Sequence, residues 1–130
     1  MLSRSIAGLK KFSNLFMLKK IYRLTKDKDF NRVFKEGNSS FNKMLGIKAV
    51  ENGRGYSRFG ILVGVKVSKK AILRNKIKRQ IREIIKSDLK NIKSGFDYVI
   101  ISLPAMGGKS YKEIEESVIK NIKRLKLYIN

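Results

Sequence analysis

The sequence predicts a two-layer α+β sandwich, one sheet with helices packed on it. Three observations lead there. Apolar residues alternate along Phe59–Ser68, where Ile61, Val63, Val65 and Val67 share one side. Apolar residues recur at helical spacing in two other stretches, Ile77, Ile81, Ile84, Ile85 and Ile92, then Tyr111, Ile114, Val118, Ile122, Leu125 and Ile129. Turn and breaker residues separate these stretches into the order helix, strands, helix, strand, helix.

Each element has its own signal. Thr25 suits an N-cap for a helix from Lys26 to Glu36 that Gly37 stops, with Phe30, Val33 and Phe34 at helical spacing. Phe41–Val50 and Phe59–Ser68 read as strands joined by residues 51–55, whose Asn52-Gly53 is a turn signal. In the second strand Leu62, Gly64, Lys66 and Ser68 form a smaller, more polar side. A helix from Leu73 to Ile92 follows, and Gly95 breaks it. Phe96–Leu103 is a buried-looking strand ended by Pro104, which cannot continue a ladder. Ser110 and Glu113 form a capping box for the last helix, whose acids sit early and bases late, as the macrodipole favours.

Composition narrows the chemistry. The 130 residues suit one domain, and 31 Lys+Arg against 10 Asp+Glu give a net charge of +21. Such an excess repels itself and calls for a polyanionic partner. Without cysteine or histidine there is no disulfide, no thiolate or imidazole metal site and no histidine base. No apolar run is long enough to span a bilayer. Residues 1–16 are basic and free of acids. They read as an N-terminal extension without fixed structure ahead of a domain at 17–130; a transit peptide, or a start at Met17, are the other readings.

The charge concentrates in residues 74–83. Five positive charges fall between Arg74 and Glu83, beside a second cluster at Lys66, Lys69 and Lys70. At 100° per residue Asn75, Arg79, Arg82 and Lys86 line up opposite the isoleucines, with Lys78 adjoining. A solvated helix face usually mixes signs, whereas residues 66–93 hold eleven Lys/Arg and two acids, Glu83 and Asp88. Like charges four apart, as at Lys78 and Arg82, cost a few tenths of a kcal/mol unless phosphates intervene, about 0.2–0.5 kcal/mol per pair. The pattern points to RNA or DNA.

Val67-Ser68-Lys69-Lys70, then Arg74-Asn75-x-x-Lys78-Arg79-x-x-Arg82-Glu83, resembles the signature of the bacterial ribonuclease P protein component. The resemblance extends to Asp29-Phe30-x-x-Val33-Phe34, Asp97–Ile101 and Tyr111-x-x-Ile114, and so spans about residues 17–128. It implies one mixed four-stranded sheet with three helices in the order αβββαβα, so that Phe41–Val50 holds two short strands. It also implies a left-handed β-α-β crossover, against the usual hand. It further implies a cytoplasmic, bacterial subunit that binds a catalytic RNA and the 5′ leader of precursor tRNA. The RNA would hold the Mg²⁺ ions that activate water, leaving the protein without catalytic residues of its own.

On this resemblance Lys66, Lys69, Lys70, Arg74, Asn75, Lys78, Arg79, Arg82 and Lys86 contact RNA. Phe30, Phe34, Lys66 and Ser68 line a cleft for the single-stranded leader, where aromatic faces stack on unpaired bases. Two features depart from the family. Only Ala71-Ile72-Leu73 separates the Lys-Lys pair from Arg-Asn, which shifts the first helical turn and Arg74 with it. Ser102-Leu103-Pro104 lacks the family's basic residue at the strand exit. Gly107-Gly108-Lys109-Ser110 resembles a phosphate-binding loop, but that motif needs glycine where Leu103 stands, so it reads as a loop and cap. A ribosomal-type RNA-binding protein or a membrane-surface module are the alternatives from charge and amphipathicity.

Overall fold

The computed structural model describes residues 19–129. The extension at residues 1–16 and the alternative start at Met17 lie outside the described residues. Three α-helices and four strands run in the order α1 (Asp27–Glu36), β1 (Asn38–Phe41), β2 (Leu45–Glu51), β3 (Arg58–Val63), α2 (Ala71–Asp88), β4 (Phe96–Ser102) and α3 (Tyr111–Arg124). This is the expected αβββαβα order. The sheet is mixed, with strand order β1-β2-β4-β3. Neighbours pair antiparallel except β3 and β4, which are parallel and joined across α2.

The central strand β4 explains the layering. Asp97, Tyr98, Val99 and Ile100 are all buried in succession, so both faces of the sheet need cover. On one face Leu45, Ile47, Phe59, Tyr98 and Ile100 pack with Ile77, Ile81, Ile84 and Ile85 of α2 and Ile114, Val118 and Ile122 of α3. Full burial of each such side chain contributes about 1.5–3 kcal/mol. On the other face Val33 of α1 joins Leu24 and Val99, with Phe30, Val50 and Ile101 against them. The two-layer expectation therefore gains a partial third layer, a single helix crossing one end of the opposite face.

Boundaries moved where tertiary pairing overrode local pattern. β3 stops at Val63, five residues short of Ser68. Its parallel ladder pairs Val63 with Ser102, and β4 ends there because Pro104 follows. Residues 65–67 instead form a turn, closed by Val67 N–H donating to Gly64 O at 3.0 Å. Phe41–Val50 divides into β1 and β2, and β1 begins earlier than expected, at Asn38. Asn42 Oδ1 shapes the link by accepting from Met44 N–H at 2.9 Å and Leu45 N–H at 3.0 Å. Lys26, not Thr25, caps α1, and without a side-chain bond. Helix α2 starts at Ala71 and hands over at Leu89 to a 3-10 turn, so Ile92 is buried outside the helix. Ser110 caps α3 in the expected box, its Oγ accepting from Glu113 N–H at 3.2 Å and its N–H donating to Glu113 Oε1 at 3.0 Å. The stripe of α3 is shorter than expected, since Ile129 lies past its end and is exposed.

Candidate nucleic-acid interface

Helix α2 sets the first surface. Burying Ile77, Ile81, Ile84 and Ile85 fixes its rotation and turns Asn75, Arg79, Arg82 and Lys86 away from the core. Asn75 and Arg79 are exposed; Lys78, Arg82 and Lys86 are partly covered. Among the described residues, the ion pairs all lie within Asp29, Arg32, Glu36, Arg58 and Asp97, and none involves α2. The ridge therefore keeps its charge for an outside partner.

The chain before α1 adds to that ridge. Arg23 forms a parallel bridge with Phe59, and Leu24 N–H donates to Phe59 O at 2.8 Å, along the edge of β3. This brings Arg23 beside Arg82 and Lys19 beside Lys86. Burial, then the Arg23 charge, lowers the Arg82 pKa; burial, then Lys19, lowers that of Lys86. Cations held together in this way gain from any phosphate that comes between them. Lys19 and Arg23 escaped the sequence reading because only the strand-edge pairing places them there.

Lys66, Lys69 and Lys70 are exposed on the turn and loop between β3 and α2. Arg74 is partly used internally: its Nη1 donates to Ser68 O at 2.9 Å. Ser68 Oγ accepts from Lys70 N–H at 3.1 Å, so this serine organises the loop before α2.

The second surface lies on the sheet face that α1 only partly covers. Register places Phe41, Gly46, Ile101 and Leu62 in one row across all four strands. Phe41 and Leu62, at the ends, are 46% and 37% exposed, with Ile101 half-buried between them. The next row holds Ser39, Lys48, Val99 and Gly60. Phe34 of α1, 39% exposed, stands at the boundary with Lys48 Nζ 6.0 Å from its ring centroid. The result is a shallow apolar trough with aromatic walls and an ammonium.

Two glycines make that trough possible. A Cβ on Gly46 would come within 2.1 Å of the Phe41 ring, and one on Gly60 within 2.5 Å of the Phe30 ring. Each ring occupies the space that a side chain at its glycine would fill. Phe30 thus packs on the sheet beside the Leu24, Val33 and Val99 cluster, while Phe34 faces the open trough.

Lys66 and Ser68 lie beyond the β3 ladder, which ends at Val63, in the turn and loop that follow, so they do not stand in the sheet rows where an unbroken strand would put them. Lys48, Phe41 and Leu62 occupy those rows. Alternation along Leu45–Glu51 could have put Lys48 opposite the main core, but nothing local shows which end α1 leaves open.

Under α1 an ion-pair network fixes the helix to the sheet. Asp97, fully buried, accepts from Arg58 Nε at 2.9 Å and Nη2 at 2.6 Å, and from Asn52 Nδ2 at 2.9 Å. Arg58 Nη1 also reaches Asp29 Oδ2 at 3.3 Å. Hydrogen bonding to Asp97, joined by the charges of Asp97 and Asp29, raises the Arg58 pKa against the opposing effect of burial. Both acids are therefore committed to structure.

Comparison with known proteins agrees with this geometry. The family model described as Ribonuclease P matches residues 18–126. The ribonuclease P protein component of Clostridium kluyveri is 39% identical over 110 residues, covering 83% of this chain and 97% of the relative. That of Clostridioides difficile is 39% identical over 107 residues, covering 82% and 93%. The structure of the Staphylococcus aureus RNase P protein superposes with a TM-score of 0.77 at 32% identity, covering 82% of this chain and 97% of that one. The Thermotoga maritima RNase P protein gives 0.72 at 36% identity, covering 78% and 96%. These likenesses do not favour the ribosomal-type alternative. With its element order, basic helix and mixed sheet matched along most of its length, the chain belongs to the ribonuclease P protein family, and is thereby a protein subunit of an endoribonuclease of tRNA 5′ maturation.

Proposed function

We propose that the α2 ridge docks this chain on the catalytic RNA of ribonuclease P, while the open sheet face holds the 5′ leader of precursor tRNA. The observation that carries this reading is the division of labour across the sheet. Cations without acid partners line α2 behind one face, and exposed aromatics with Lys48 line the other. The ridge suits a folded polyanion, whose phosphates relieve the crowding of Arg82, Lys86, Arg23 and Lys19. The trough suits an unpaired strand, because Phe34 and Phe41 offer ring faces that any base can stack on.

Mg²⁺ bound by the RNA would activate water and steady the leaving oxygen. Among the described residues no cluster of acids is arranged to hold an ion, and Asp29 and Asp97 are engaged by Arg58. The protein's part is to screen repulsion between two RNAs and to position the leader. Among the described residues no helix is long and apolar enough to cross a membrane.

The deciding experiment is reconstitution with the catalytic RNA at low Mg²⁺, assaying 5′ processing of precursor tRNA with and without the chain. Faster processing with the chain is expected, together with no cleavage by the chain alone. Cleavage by the purified polypeptide, or indifference of the RNA to its presence, overturns the reading.

A further inference from the structure

A cavity of about 380 Å³ opens between the first three turns of α2, the turn after β3 and the loop from Pro104 to Ser110. It lies on the flank of α2, about 140° round from the ridge of Arg79 and Arg82 at 100° per residue. Its volume falls within the range of small-ligand pockets, roughly 300–1,000 Å³. Leu73, Ile77 and Met106 give it an apolar lining, while Lys76, Gln80 and Lys109 supply the polar groups. No acid is among its lining residues.

We propose that this cavity receives one unstacked nucleobase of the bound RNA, with Lys76 and Lys109 holding the phosphates on either side of it. The inference rests on the RNA-binding reading of α2 and adds a site that the ridge does not supply. A flat heterocycle taken out of a stack is held between apolar side chains and recognised along its polar edge. Leu73, exposed at the mouth, provides the first over a floor formed by the buried Ile77 and Met106, and the Gln80 amide, a donor and an acceptor, provides the second. A bare phosphate would leave the apolar lining unused. A peptide would gain nothing from two ammoniums unless it were acidic, and the chain's charge of +21 selects the stronger polyanion. Gly107-Gly108-Lys109-Ser110 thus forms no phosphate cradle, yet it brings Lys109 to the cavity while Ser110 caps α3.

The test uses the full chain and adenosine 5′-monophosphate as the probe, followed by methyl resonances in low salt, with ribose 5-phosphate as the baseless control. Adenosine 5′-monophosphate should shift the Leu73, Ile77 and Met106 methyls saturably, and ribose 5-phosphate should leave them in place. Leu73→Trp, at a position 43% exposed and so able to fold, should fill the mouth and weaken the nucleotide about tenfold. Gln80→Leu, which keeps the volume and removes the amide, should weaken it as well. Equal methyl shifts from both probes would mean a simple anion site and overturn the proposal. So would an absence of methyl shifts as the nucleotide rises through the millimolar range. If that same preparation still binds the catalytic RNA, the nucleobase site alone fails; if it does not, the underlying RNA-binding reading fails with it.

Discussion

Arg58 grips the buried carboxylate of Asp97 with two nitrogens, Nε at 2.9 Å and Nη2 at 2.6 Å, directly beneath the helix that walls the trough. The same guanidinium reaches Asp29 at 3.3 Å, so one side chain ties β3, β4 and α1 together. Removing it by Arg58→Met strands a fully buried charge, and breaking such a pair costs about 3–5 kcal/mol. Asp97→Asn should cost less, because Arg58 keeps 14% side-chain exposure and can turn toward water. Denaturant unfolding of both variants measures the difference. Equal losses would mean that the carboxylate is not the sensitive partner.

Phe34 and Phe41 are the exposed aromatics of the trough, whereas Phe30 packs over Gly60. Phe34→Ala and Phe41→Ala should therefore leave the fold intact and weaken substrates that carry a leader. Loss of one stacked base corresponds to about 1–3 kcal/mol. Mature tRNA, which has no leader, should bind unchanged. Phe30→Ala should behave differently and lower thermal stability, because its ring fills the space that Gly60 leaves. Binding titrations with and without a leader separate the two roles. An equal loss on both substrates would remove the trough from leader recognition.

The ridge predicts a steep response to salt. If about 6–10 phosphates are neutralised, affinity for the catalytic RNA should fall roughly 10³–10⁵-fold between 50 and 200 mM salt. Arg79→Ala should weaken assembly and reduce the salt slope by about one, with little change in melting temperature. Arg82→Ala should do the same, even though Arg82 is partly covered, since it sits against Arg23 and not against an acid. A flat salt profile, or matching losses of thermal stability, would make these side chains structural.

Much of this was legible in the residues, and the exceptions share a cause. Helical periodicity located α2 and α3 and the side each buries, and the Ser110 and Glu113 spacing foretold the cap of α3. The ridge could be read because a helix presents its faces through local geometry alone. The trough could not, because it depends on where partners stop. Lys66 and Ser68 continue the alternation of β3, yet Pro104 ends β4 and leaves them no ladder to join. Lys48, Phe41 and Leu62 meet only through a register across four strands. Arg58 and Asp97 stand 39 positions apart, and their pairing follows from the parallel crossover.

Tyr98 offers a test of the core that is independent of RNA. Its ring is fully buried, stacked on Phe59 with centroids 4.9 Å apart, and its hydroxyl donates to Lys93 O at 2.7 Å. Burial pushes the phenol well above its ordinary pKa of 10.0, because the phenolate would lose its hydration. A folded pKa raised above the unfolded one favours the protonated form in the fold. That contribution is complete below about pH 10 and is lost as pH rises further, when the unfolded chain ionises first. Tyr98→Phe removes the titration along with the bond to Lys93 O. The variant should be less stable at neutral pH, by about 0.5–1.5 kcal/mol for one hydrogen bond. The gap to the parent should then narrow above pH 10. Urea unfolding of the two proteins across that range measures it, and a gap that stays constant would mean that the phenol ionises as readily in the fold as in the open chain.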